Sequence, residues 1–193
     1  MNTEITRHTL AVLVDNEAGV LSRVARLFSG KGYNIESLAV GTTDSPAISR
    51  ITIEVIADDK QLNLLCNQLR KLICVHSVKS LKPEHAIRRE LMLIKVSSGE
   101  SVQRNEIIQI ANIFRASIID VSKASITLAV IGDENQAEAI QNLLAEFGIL
   151  ELVRTGMVAL ERGQYTIDEQ TKMKGEFDYG KNVLQENYYE PFA

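Results

Sequence analysis

The sequence predicts an α+β protein built from two ferredoxin-like βαββαβ domains. Three observations carry that prediction. Short apolar runs alternate with amphipathic helical stretches in the order strand, helix, strand, strand, helix, strand; the order occurs twice; and a proline-bearing, charge-rich stretch separates the copies.

The first copy begins with Thr9-Leu10-Ala11-Val12-Leu13-Val14, an apolar run that reads as a buried strand. Asp15-Asn16-Glu17-Ala18-Gly19 ends it, because Asp, Asn and Gly supply turn chemistry. A helix follows, with Val20, Val24, Leu27 and Phe28 on one face, and Gly30 or Gly32 provides its stop. Tyr33-Asn34-Ile35 opens the next strand. Asp44-Ser45-Pro46 then breaks the chain before Ile51, Ile53 and Val55, which alternate with Thr52 and Glu54. Asp58-Asp59 starts a second helix, where acids suit the positive end of the dipole. Cys66 joins Leu62, Leu65, Leu69 and Leu72 on its apolar face. Leu10, Val12 and Val14 mark one face of the first strand, while Ala11 and Leu13 make the other apolar too, a surface expected to be covered by association.

Lys82–Glu90, with a proline and five charged residues, reads as a linker without strand character. The second copy then runs strand 91–96, helix near 105–115, strand 117–121, strand 125–131, helix 134–147 and strand 149–160. The expected organisation is therefore 7–82, linker 83–90, 91–163, and a tail 164–193. That tail holds six of the chain's ten aromatic residues and, with six acids against three lysines, is net −3. A short docking helix around Val183, Leu184, Asn187 and Tyr188 is expected there, seated on the second domain or on a partner.

Chemistry concentrates at Asp15–Ile35. A strand, a tight polar loop and a helix N-terminus make a small-anion site, because the first helical N–H groups lack internal partners and carry the positive end of the dipole. Gly19 lets a ligand approach the backbone. The side-chain oxygens of Asn16 and Asn34 can accept from an ammonium group, so an α-amino acid satisfies both halves. The residues fit equally a simpler reading, in which Asp15 or Asn16 caps the helix and Gly19 only turns the chain.

The run Leu13–Leu38, followed by Ser49-Arg50-Ile51-Thr52-Ile53, resembles the opening ACT domain of the regulatory small subunit of acetolactate synthase (acetohydroxyacid synthase). The similarity continues through Glu90–Val96, Phe114–Val121 and Arg154–Leu160, and so covers roughly residues 7–163; the tail lies beyond it. The resemblance implies a homodimer joined through its ACT domains. It also implies an effector site at their interface, with Asn16, Gly19, Val20 and Leu21 from one protomer and Asn34 and Ile35 from the other. The effector would be valine, isoleucine or leucine. The partner would be the catalytic large subunit, which would hold thiamine diphosphate, Mg2+ and FAD; this chain would hold no cofactor or metal, would activate that subunit, and would transmit feedback inhibition. The second copy runs into Ser97-Ser98-Gly99-Glu100-Ser101 instead of an Asn-Glu-Ala-Gly loop, and no effector site is assigned to it.

Other classes fit poorly. There is no nucleophile elbow, P-loop or metal-spaced His/Cys/Asp set, and Gly30-x-Gly32 sits at a helix end where a dinucleotide fingerprint needs a helix start. His8, His76 and His85 have no sequence-adjacent partner. Cys66 and Cys74 read as packing, and a disulfide is not expected in a reducing compartment. A net charge of −4 and a pI near 5.5 give no basic footprint for nucleic acid, and the first and third strands lack the aromatics an RNA-recognition module stacks on bases. No signal-peptide pattern or membrane-length apolar run is present, so a cytoplasmic location is expected. A stand-alone amino-acid sensor remains the rival, opposed by the second block of resemblance.

Overall fold

The computed structural model describes residues 4–167. The described chain divides into two compact units, one formed by residues 4–86 with 159–167, the other by Ile87–Val158.

The first unit contains β1 (Thr6–Asp15), α1 (Val20–Gly30), β2 (Ile35–Thr42), β3 (Ile48–Ala57), α2 (Asp59–Leu69) and β4 (Val75–Leu81). The sheet order is β2-β3-β1-β4, and every neighbouring pair is antiparallel. One face of the sheet meets the helices. Leu10, Val12 and Val14 of β1 pack with Ile51, Ile53 and Val55 of β3 against Val20, Val24 and Phe28 of α1 and Leu62, Leu65, Cys66 and Leu69 of α2. Each fully buried Leu, Ile or Phe contributes about 1.5–3 kcal/mol by leaving water, which fixes the helices on this face. Asp58 caps α2: its carboxylate accepts from the Gln61 N–H at 2.8 Å, and the Gln61 side chain accepts from the Asp58 N–H at 3.1 Å.

The helix-free face of this sheet differs from expectation. Ala11 and Leu13 are not left to association alone. Ala11 packs with Leu81, Ala86, Ala159 and Ile167, and Leu13 lies against that cluster. Arg50 Nη2 donates to the Ala159 carbonyl at 2.7 Å, and Lys79 bonds Glu161 at 2.6 Å, so the returning chain is fastened at two points. Buried Glu54, on the same face, accepts from Thr9 Oγ1 at 3.3 Å and pairs with Arg7.

The second unit repeats the order with β5 (Ala86–Ser97), α3 (Ser101–Ile113), β6 (Ser117–Val121), β7 (Ser125–Gly132), α4 (Glu134–Ala145) and β8 (Ile149–Arg154). Its sheet runs β6-β7-β5-β8. The core joins Met92, Ile94 and Val96, Ile126, Leu128 and Val130, and Ile107, Ala111, Ile140 and Leu144. Two units of βαββαβ order, each an antiparallel sheet with two helices, make the predicted fold.

Three boundaries move. The linker is only a 3-10 turn at Pro83–His85, and β5 starts at Ala86, inside the stretch that reads as linker. Its charges do not prevent pairing, because buried Glu90 forms a two-pronged bond with Arg154. Helix α3 begins at Ser101 rather than near Asn105, and its first turn is mostly polar and exposed, so it gives no apolar period to read. The last strand is two: Thr155-Gly156-Met157 interrupts it, Gly156 at φ 80 turns the backbone, and β9 (Val158–Glu161) follows. Of the expected tail, Gln164–Ile167 is described and Ile167 is buried; the expected helix around Val183–Tyr188 lies outside the described residues.

Candidate functional site

Helix α1 starts on Gly19, whose φ of 85 and ψ of −8 place it in the left-handed region. An L side chain there would be strained, so the glycine is needed for the turn itself. No side chain caps the helix, so neither Asp15 nor Asn16 is its cap, while the other half of the simpler reading, Gly19 as the turn, stands. The Val20 N–H reaches the Glu17 carbonyl at 3.3 Å, and the Arg23 N–H closes the first helical bond to Gly19 at 3.1 Å. Between them, the Leu21 and Ser22 N–H groups have no acceptor within the helix. A Cβ built on Gly19 would meet nothing within 4 Å, and Leu21 is exposed. Uncapped donors, the positive dipole end and open space above the glycine are chemically suited to an anion.

The loop is held rigidly from below. The Asp15 N–H donates to the Cys74 carbonyl at 2.9 Å, and the Asp15 carboxylate bonds His76 at 2.6 Å. His76 therefore has a carboxylate partner that its sequence neighbours do not reveal. Asn16 is more engaged than its expected role allows. Its backbone N–H donates to Ala47 O at 2.7 Å, its Nδ2 to Pro46 O at 2.8 Å, and its Oδ1 accepts from Ser49 Oγ at 3.0 Å. Its first task is to pin the β2–β3 loop under α1, leaving only the second lone pair of Oδ1 for an ammonium. Asn34 is exposed, and its Nδ2 donates to Glu36 at 2.6 Å, which leaves the amide oxygen as its acceptor.

The six expected site residues do not meet within one chain. Asn16, Gly19, Val20 and Leu21 gather at the end of β1. Ile35 pairs with Val55, which pairs with His8, near the start of β1, whereas Asp15 pairs with Ile48. Seven residues of strand separate those levels, about 24 Å. Ile35, which opens the edge strand β2, and Asn34 just before it thus lie at the opposite end of the sheet.

No group of three or more His, Cys, Asp or Glu that could hold a metal occurs among the described residues. No described helix is long and apolar enough to cross a membrane. Burial pushes the Cys66 thiol up to about 12 against the opposing pull of Arg70, so it is packing rather than a nucleophile. Burial, helped by Asp58, also raises the Tyr33 phenol.

A βαββαβ unit with an uncapped, glycine-started helix over a polar loop is the architecture of a ligand-sensing regulatory domain of the ACT type, and a family model described as the AHAS small subunit-like ACT domain matches residues 10–77. A second model, described as the small subunit of acetolactate synthase, matches residues 89–163. An acetolactate synthase small subunit of Aquifex aeolicus is 44% identical over 169 residues, 88% of each chain. That of Mycobacterium bovis is 47% identical over 156 residues, 81% of this chain and 92% of its own. The crystal structure of the Thermotoga maritima acetolactate synthase small subunit superposes with a TM-score of 0.78 at 39% identity, covering 83% of this chain and all of that one. The chain belongs to the acetolactate synthase small-subunit family. It is accordingly a subunit of an enzyme of branched-chain amino acid synthesis, not the catalyst itself, and membership implies a catalytic large-subunit partner.

Proposed function

We propose that this chain activates the catalytic subunit of acetolactate synthase and confers feedback inhibition by valine or a related branched-chain amino acid, bound between two copies of the first unit. One observation carries the reading: the two halves of the expected site sit about 24 Å apart along one sheet, at levels that a two-fold pairing would superpose. β2 is an edge strand running parallel to β1. If two β2 edges pair antiparallel about a two-fold axis, the start of one lies beside the end of the other. The end of β2 at Thr42 is level with Val14, through Ser49, and hence with the Asn16–Gly19 loop. Asn34 and Ile35 of a second copy then arrive at the seat formed by Asn16, Gly19, Val20 and Leu21.

In that arrangement the ligand carboxylate accepts from the Leu21 and Ser22 N–H groups. Asn34 of the second copy orients the ammonium through its side-chain oxygen. Leu21 and Ile35 face the aliphatic side chain, while Val20, its side chain buried in the core of the first unit, contributes backbone to the seat. Thiamine diphosphate, Mg2+ and FAD belong to the catalytic subunit, and this chain supplies no residue to that chemistry.

The test is reconstitution. The purified chain alone forms no acetolactate, raises the rate of its cognate catalytic subunit, and makes that rate sensitive to a branched-chain amino acid. Acetolactate formation by the chain alone, or a reconstituted enzyme indifferent to all three amino acids, contradicts the proposal.

A further inference from the structure

The helix-free face of the first sheet holds an open cavity of about 760 Å³, on the side of the sheet away from the α1–α2 core. One part of its wall is aliphatic, from Leu13 and Leu81 of the sheet, Ile48 at the start of β3, and Leu160 and Ile167 of the returning chain; the β2–β3 loop and the returning chain also bring polar residues to it. Space exists here because Gly41 stands across β3 from Leu13, with Arg50 paired to both, so no side chain rises from β2 at that level. A Cβ added at Gly41 would meet nothing within 4 Å.

Arg50 is the arginine of this lining. It is partly buried, and among the described residues its hydrogen bond goes to a neutral group, the Ala159 carbonyl, through Nη2 alone. The nearest acid of the lining, Glu161, is held by Lys79 at 2.6 Å on side chains that are each less than a fifth exposed. His76 is likewise taken by Asp15, and Asp44 lies exposed at the rim. A guanidinium has five N–H donors in a planar fork. One engaged on a carbonyl leaves others for an incoming acceptor, and an anion there offsets the cost of holding the cation away from water. Burial lowers the affinity of Arg50 for its proton, which Glu161 only partly restores.

We propose that this cavity is a second small-molecule site, distinct from the α1 N-terminus, that takes an amphipathic monocarboxylate with its carboxylate on Arg50 and its aliphatic body against Leu13, Ile48, Leu81 and Leu160. The proposal is independent of the amino-acid site between copies. A half-apolar organic acid matches the spare donors of Arg50 and the apolar part of the walls. An inorganic anion would leave those walls wet, and a neutral hydrocarbon would leave the guanidinium without an acceptor.

Hexanoate and hexan-1-ol, which share one aliphatic body, separate charge recognition from simple partition. Each is titrated into the full-length isotope-labelled chain while backbone amide shifts are followed. Saturable hexanoate binding is expected, with the shifts centred on Thr43, Ile48 and Leu160–Gly163, and at least fivefold tighter than the alcohol. Arg50→Gln should bring hexanoate down to the level of the alcohol, and Arg50→Lys should retain part of the preference. Because Arg50→Gln also removes a bond to the Ala159 carbonyl, Leu160→Glu serves as a second variant. Leu160 is about half exposed, so the fold should tolerate the change, and the new carboxylate should repel hexanoate more than hexan-1-ol. Equal affinity for acid and alcohol, shifts confined to Gly19–Ser22, or hexanoate binding unchanged in a folded Arg50→Gln or Leu160→Glu protein overturns the proposal.

Discussion

Substituting Gly19 by Asp should abolish feedback inhibition while leaving activation largely intact. The perturbation has two separable parts. Gly19 sits at φ 85, so any L side chain is strained, by about 1–2 kcal/mol, with Asp and Asn at the tolerant end. That cost falls on the local turn rather than the core, because an added Cβ meets nothing within 4 Å. The second part is charge. The new carboxylate stands at the mouth of the anion seat, where it competes for the same N–H groups and repels the ligand's own carboxylate. Two like charges about 4 Å apart cost on the order of 4 kcal/mol at an effective dielectric near 20. Exposure of the loop and salt reduce this to about 1–3 kcal/mol, a tenfold to hundredfold loss of affinity. Gly19→Ala pays the backbone strain without the charge and should lose clearly less. The assay is inhibition of the reconstituted enzyme by valine, isoleucine and leucine, with oligomeric state measured alongside. Activation should survive because Val24, Leu27, Phe28 and the strands are untouched. A Gly19→Asp protein that keeps its oligomeric state, activates normally and is inhibited at wild-type concentrations would refute the reasoning.

Other expectations follow from the same structure. Asn34→Ala should weaken effector binding by about 1–3 kcal/mol, the value of a charge-assisted hydrogen bond, measured by calorimetry with each amino acid. Cys66, its thiol raised to about 12 by burial, should resist Ellman's reagent at pH 8 in the folded protein and react only after denaturation. Glu90 is buried and Arg154 is about a third exposed. Arg154→Ala therefore strands a buried carboxylate and should cost about 2–4 kcal/mol in denaturant unfolding, whereas Glu90→Ala leaves an arginine that water can reach and should cost less.

The fold was legible where periodicity was strong. Leu10, Val12 and Val14 against Ile51, Ile53 and Val55 announce a sheet with one helix-covered face, and Val20, Val24 and Phe28 announce the helix that covers it. Gly19 was legible as a turn, and its left-handed backbone explains why a glycine stands there. The missing parts rest on contacts distant in sequence. Nothing near His76 shows that Asp15 will reach it, and nothing near Asn16 shows that Pro46, Ala47 and Ser49 will occupy its amide. Ala11 and Leu13 read as a surface awaiting a partner because the residues that cover them, Ala159 and Ile167, lie about 150 positions further on. The break at Gly156 was hidden by apolar residues on both sides, which suit one long strand or two short ones. Arg50 carried no signal as a site residue, since only the fold places it opposite Gly41 with a carbonyl as its partner.

The central claim, that one effector site is assembled from two copies, is tested most directly by complementation between defective chains. Gly19→Asp damages the loop half of a site and Asn34→Ala the strand half. In a mixed dimer of the two variants, one interface site carries both lesions and the other carries neither. Calorimetric titration of the co-refolded mixture with valine, or with whichever branched-chain amino acid the wild type prefers, should recover wild-type affinity at about one site per mixed dimer, while each variant alone binds weakly. A mixture that binds no better than its separate components would show that each site lies within a single chain, and would contradict the account.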